Sequence, residues 1–165
     1  IKINSKKYCA ILGGNPSKTA RSPYLWNLVL KQNKIQSEMI SIDLKKKNLN
    51  KILNILESDR NFLGGSVTIP LKQDVFKYLH KKKRIDKITE KIGAVNCIYK
   101  RNNKLFGTNT DGEAAIHVFE KKFGSIKNKQ CLILGYGGVG KAVTAFFNDK
   151  MKHNILVSNR SNINK

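Results

Sequence analysis

Short apolar runs alternate along this chain with stretches whose apolar residues recur every three or four positions, and that alternation restricts the fold more than any other feature. Tyr8–Leu12 is an apolar run closed by the turn cluster Gly13-Gly14-Asn15-Pro16, and it reads as a first strand. Ser22-Pro23 reads as a helix start, with serine as cap and proline in the first helical position, and Leu25, Leu28 and Val29 follow at helical spacing. Met39–Leu44 alternates as a strand through Ile40, Ile42 and Leu44, and Asn48–Leu56 gathers Leu49, Ile52, Leu53 and Leu56 on one helical face. Phe62–Ile69 is a third strand, with a helix expected through Leu79. Ala94–Tyr99 and Lys104–Gly107 flank an Asn-rich hairpin turn. Thr110-Asp111-Gly112-Glu113 has capping-box spacing ahead of a helix over Ala114–Phe123. Gln130–Leu134 reads as a buried strand, then come glycines, a further helix, and a strand over Asn154–Ser158.

Strands separated by helices of crossover length pack as a parallel sheet clad in helices, an α/β fold. The polar stretch Lys121–Gln130, carrying one glycine, divides two such units. The expected organisation is an α/β domain over residues 1–109, a linking helix and seam over 110–129, and a second, incomplete α/β domain over 130–165.

The bulk properties narrow the function. No apolar run approaches the ~20 residues of a membrane helix. The apolar run near the N-terminus is broken by Gly13-Gly14 with no cleavage-like site, so neither a membrane partner nor a signal peptide is expected. The three cysteines are far apart and show no metal-ligand spacing, which points to a reducing cytoplasm and to no metal. The net charge of +21 suggests an anionic partner. However, 27 of the 32 basic residues are lysines scattered along an Asn- and Ile-rich chain, as an A/T-rich genome writes on a tolerant surface. Binders of phosphate backbones gather arginine and aromatics into a site, so no nucleic-acid partner is expected. A small anionic substrate or cofactor gains from the same field.

Two features carry chemistry. Gly135-x-Gly137-x-x-Gly140 lies between an apolar strand and a helix. In that context it reads either as a dinucleotide fingerprint, whose backbone approaches a pyrophosphate at a helix N-terminus, or as an ordinary glycine-rich turn. The next strand ends at Asn159-Arg160-Ser161, where NAD binders usually carry an acidic side chain. Arg160 suits the 2′-phosphate of NADP, or is a surface arginine. Lys72 lies two residues past Pro70, near the carboxyl end of strand Phe62–Ile69, where open α/β sheets bind ligands. Asp111 opens a helix after another strand and can face the same edge. A Lys/Asp pair in a cleft can move a proton to a reacting oxygen, although either residue is equally a surface lysine or a helix cap.

The chain resembles the shikimate dehydrogenase family. The resemblance rests, in order, on Gly14-Asn15-Pro16 with Ser22-Pro23; Gly65–Lys72 ("GSVTIPLK", similar to G-x-N-V-T-x-P-x-K); Ile92-Gly93-Ala94-Val95-Asn96; Gly107-x-Asn109-Thr110-Asp111; Gly135-x-Gly137-Gly138; and Asn159-Arg160-Ser161, similar to N-R-T. It implies a substrate domain followed by a Rossmann domain, with the active site in the groove between them. It implies an NADP-dependent oxidoreductase that reduces 3-dehydroshikimate to shikimate in aromatic amino-acid biosynthesis, acting as a monomer or homodimer. Lys72 and Asp111 would be the catalytic pair. Ser22, Thr68 and Asn96 would hold the substrate. Gly135, Gly137, Gly138 and Val139 would line the cofactor phosphates, and Asn159, Arg160 and Ser161 the adenosine ribose phosphate.

The chain departs from the family in places. Ala20 replaces the first serine of S-x-S-P, and Lys18 and Thr19 stand where a histidine is usual. Ser66 replaces the asparagine of N-V-T, Cys97 a frequent threonine, and Asn164, followed by Lys165, a second basic residue. The proton-transfer pair is kept while the carboxylate-binding end is altered. That leaves open a shifted substrate, quinate- or aminoshikimate-like, or a non-catalytic ligand sensor. The Rossmann unit stops after its second strand, so the chain is read as part of a longer protein.

Overall fold

The computed structural model describes residues 7–151 and 155–160, with side chains of 149–151 left aside. Asn154, Ser161, Asn164 and Lys165 lie outside the described residues. A five-stranded sheet has the order β2-β1-β3-β4-β5. β1 (Lys7–Gly13), β2 (Ser37–Asp43) and β3 (Phe62–Val67) run parallel, whereas β4 (Cys97–Arg101) and β5 (Lys104–Thr108) add as an antiparallel hairpin beside β3. The hairpin turns on Asn102 and Asn103, with φ of 51° and 56°, the left-handed pair that a two-residue turn of this hand requires.

Helices link the strands: α1 (Pro16–Thr19) and α2 (Ser22–Gln32), then α3 (Leu49–Ser58), between the parallel strands, and α4 (Lys72–Lys81) and α5 (Lys87–Ile92) between β3 and the hairpin. α6 (Asp111–Phe123) leads to a second sheet. There β6 (Cys131–Leu134) and β7 (Ile155–Ser158) pair in parallel around α7 (Gly138–Met151). The described residues are thus a mixed α/β fold with a largely parallel main sheet.

The main core lies on one face of the five-stranded sheet. Leu49, Leu53 and Leu56 of α3, with Leu71, Val75 and Leu79 around α4, pack on Tyr8, Ala10, Leu12, Phe62, Val67, Ile98 and Leu105. The apolar spacing of Asn48–Leu56 is the face that does this. The other face is thinner. Leu25, Leu28 and Val29 of α2 recur at helical spacing yet are exposed. The cause is Asn27, whose carboxamide donates to the Met39 carbonyl (3.0 Å) and accepts from its N–H (2.7 Å). α2 is therefore tied to the edge of β2 rather than rolled onto the sheet. Ser22 does not cap α2 either: it is the first helical residue, Arg21 precedes it as cap, and no side chain closes that end.

Two further differences bear on the site. α5 had no apolar periodicity to announce it. It is set by its ends, where the Asp86 carboxylate accepts the Thr89 N–H (2.7 Å) and Gly93 closes the helix at φ 71°. α6 begins at Asp111, three residues before the expected start, and Thr110 does not cap it. The Thr110 hydroxyl is engaged by Asn96, and the Asn109 carboxamide takes the Asp111 N–H instead (3.0 Å).

α6 and α7 cross at Gly112, where an added Cβ would stand 2.8 Å from the carbonyl carbon of Ala142. Ala142 is fully buried with Ile92 and Ala94, so α7 is wedged against both α6 and the segment entering β4. Ile116, Ile126 and Phe147 form another small core between α6, α7 and the second sheet.

Candidate active site

Beyond β3 the chain turns through Thr68-Ile69-Pro70-Leu71, with the Leu71 N–H on the Thr68 carbonyl (3.0 Å), and enters α4 at Lys72. Lys72 is therefore a first-turn helical residue rather than a strand end. Its Nζ lies 2.7 Å from Oδ2 of Asp111, the first residue of α6. The two side chains are 14 % and 23 % exposed, so the ion pair lies in a crevice with limited water.

The second carboxylate oxygen of Asp111 accepts from Nδ2 of Asn96 (2.7 Å), which also meets the Thr110 hydroxyl (3.1 Å), while Oδ1 of Asn96 accepts the Thr110 N–H (3.0 Å). The α6 N-terminus adds positive potential behind the same carboxylate. Both oxygens of Asp111 are thus engaged, and the ammonium keeps two further N–H bonds for a third group.

The glycine turn faces this pair. Gly135 has φ of 100° and donates its N–H to the Ser158 carbonyl (2.7 Å). The Tyr136 N–H donates to the Asn159 carboxamide (3.1 Å), so Asn159 braces the turn. At Gly140 a Cβ would stand 2.9 Å from the carbonyl carbon of Gly135, which is why helix and turn can meet there only through glycine. At Gly137 a Cβ would meet nothing within 4 Å, and at Gly138 it would project to 3.5 Å from Cδ of Lys72.

A cleft of about 640 Å³ joins the two elements, lined by Pro70, Lys72 and Gln73 on one side and by Gly135 and Gly137–Gly140 on the other. The first N–H groups of α7 have no intrahelical partner, and Gly138 and Gly140 of that first turn line the cleft. These residues fit the pyrophosphate of a dinucleotide.

Lys72, Asn96 and Asp111 are brought into one hydrogen-bonded group, and Gly135, Gly137, Gly138 and Val139 line the cleft beside it. Asn159 reaches the turn, and Arg160 is exposed at the end of β7. Ser161 lies outside the described residues. Ser22 and Thr68 do not line this cleft. Ser22 opens α2, and Thr68 follows β3 with its N–H on the Leu12 carbonyl (2.8 Å). Ser66 faces a separate apolar cavity of about 240 Å³ with Cys9 and Cys97, whose thiols burial pushes up from their ordinary range.

Two residues were missed from sequence. Gln73 lines the cleft beside Lys72, and Asn109 is buried behind Asp111. Asn109 had a signal, a polar residue just past the buried end of a strand.

The chain is similar to known proteins. A family model described as the shikimate dehydrogenase substrate binding domain matches residues 12–98. The NADP(+)-dependent shikimate dehydrogenase of Methanococcus maripaludis is 37% identical over 159 residues, covering 96% of this chain and 55% of that protein. A shikimate dehydrogenase solved in complex with NADP+ superposes with a TM-score of 0.86 at 31% identity, over 94% of this chain and 52% of that one. The Thermus thermophilus enzyme, solved with NADP(H) and shikimate, gives 0.80 at 26% identity, over 94% and 56%. The chain spans about half the length of the relatives it matches.

Proposed function

The chain belongs to the shikimate dehydrogenase family, and from that premise we propose that the protein reduces 3-dehydroshikimate to shikimate with NADPH. The observation that carries this reading is the 2.7 Å Lys72–Asp111 pair opening onto the glycine-lined cleft.

NADPH, when bound, supplies the hydride that reduces the substrate carbonyl carbon. Gly135, Gly137, Gly138 and Val139 would hold its phosphates, and Asn159, Arg160 and Ser161 its adenosine ribose phosphate. Lys72 donates a proton to the oxygen that becomes the new hydroxyl, and regains it from solvent. Asp111 orients the ammonium and offsets its charge in the crevice. Asn96, Ser22 and Thr68 hydrogen-bond the hydroxyls and carboxylate of the acid.

The division into a substrate domain over 1–109, a linker over 110–129 and an NADP-binding domain over 130–165 follows the same reading. So does a cytoplasmic monomer or homodimer. No described helix is long and apolar enough to cross a membrane.

Ala20 and Ser66 favour a second reading within the same chemistry, a cyclic hydroxy acid with other ring substituents. The test follows NADPH absorbance in the full-length protein with 3-dehydroshikimate and then with dehydroquinate. Turnover of either is expected, with Lys72→Met lowering kcat about 10²–10⁴-fold. Absence of turnover with both acids, or a Lys72→Met protein as active as the unaltered one, would sink the assignment.

A further inference from the structure

We infer that Asn109 is a positioning residue for the Lys72–Asp111 pair, acting through the backbones of both. The inference rests on the reading of that pair as the proton-transfer apparatus.

Asn109 is 2 % exposed, one of the few polar side chains buried among the described residues. Its Nδ2 donates to the Ala94 carbonyl (2.9 Å), and its Oδ1 accepts the Asp111 N–H (3.0 Å). The Ala94 carbonyl and the Val95 N–H belong to one peptide unit, and that N–H donates to the Lys72 carbonyl (3.0 Å). One carboxamide and one peptide plane therefore join the main chain of Lys72 to the main chain of Asp111. The first residues of α4 and α6 start from fixed points on either side of the same bridge.

Side-chain contact between ammonium and carboxylate closes the ring. Without the bridge the two helix ends would be held only by that ion pair and by the Asn96 side chain on Asp111 and the Thr110 N–H, and partly exposed pairs are weak clamps. An apolar residue of similar size would fill the volume but would leave the Ala94 carbonyl and the Asp111 N–H unpaired. A role in packing alone does not require a carboxamide in this orientation. A role in registering the two backbones does, because only a group with donor and acceptor on one planar head spans both.

The test uses Asn109→Ala and Asn109→Ser in the full-length protein, with three readouts. First, kcat for the cyclic acid should fall on the order of tenfold to a hundredfold, because displacement of a catalytic group by about 1 Å has that effect. Second, the NADP+ dissociation constant should stay within about twofold, since Asn109 is buried and does not line the glycine-walled cleft. Third, acylation of Lys72 by an activated ester, read by peptide mass spectrometry against Lys77 on the same helix, should become about threefold faster or more as the carboxylate is released.

The third readout is independent of turnover. If the unaltered protein turns over neither acid, the functional reading fails while the labelling ratio still decides the role of Asn109. Folded variants with an unchanged labelling ratio and an unchanged kcat would overturn the inference. So would failure of both variants to fold, which would make Asn109 a core residue.

Discussion

Gly112→Ala tests how the two halves of the cleft are held apart. Gly112 is the second residue of α6 and touches the backbone of α7 at Ala142. A methyl group there would stand 2.8 Å from the Ala142 carbonyl carbon and nearer still to its oxygen and to the Phe146 ring. Ordinary carbon contacts lie at about 3.5–4.0 Å, so the helices must separate by roughly 1 Å.

Two effects compete. Alanine in place of a helical glycine gains up to about 1 kcal/mol from propensity. Overpacking costs about 1–3 kcal/mol. Phe146 is only partly buried and can swing aside, but a mid-helix carbonyl cannot, so the steric cost wins by about 1–2 kcal/mol. That corresponds to a melting point lower by roughly 2–8 °C.

The same displacement carries Gly138 and the start of α7 away from Lys72. Donor and acceptor of the hydride then lie about 1 Å out of register, and kcat falls on the order of 10²-fold. The assay is thermal denaturation alongside NADPH oxidation in the full-length protein. A Gly112→Ala protein that melts at or above the unaltered temperature and turns over within about threefold of it would refute the claim that this contact sets the geometry of the cleft.

Further outcomes follow from the site and its surroundings. Ala20→Ser restores the hydroxyl that the family places there, and should tighten binding of shikimate about tenfold by calorimetry; unchanged affinity would mean the carboxylate is held elsewhere. Arg160→Ala should weaken NADP+ about tenfold or more and leave NAD+ unchanged, whereas equal losses for both would take Arg160 out of the 2′-phosphate site. Asp59 is held below its ordinary 3.8, first by the Tyr8 hydroxyl (2.6 Å) and then by the Asn61 N–H (2.8 Å). A depressed carboxyl contributes stability that is complete above its unfolded value and is lost as pH falls through the lower folded one. Tyr8→Phe should therefore open a stability gap that is widest near neutrality and narrows below about pH 4 in urea titrations; a gap that does not change with pH would assign Tyr8 to packing alone.

Much of this molecule was legible in its residues. Alternation and 3.6-residue spacing marked the strands and the buried face of α3, because both patterns are local consequences of burial. The glycines at 135, 137 and 140 marked the turn, where the positive φ of Gly135 and the close approach of helix to turn at Gly140 both favour a missing Cβ. The motifs around Lys72 and Asp111 named the pair through family likeness, although pattern alone left each residue as a surface lysine and a helix cap.

Tertiary packing decided the rest. The roll of α2 is set by Asn27 bonding the edge of β2, a contact invisible in apolar spacing. The cap of α6 passed from Thr110 to Asn109 because Asn96 claims the threonine. Lys72 and Asp111 are 39 residues apart along the chain. Their meeting depends on a peptide plane at Ala94–Val95, a buried carboxamide and a crossing of α6 on α7 through Gly112. Periodicity reports what one segment buries; it carries no record of which other segment supplies the partner atom.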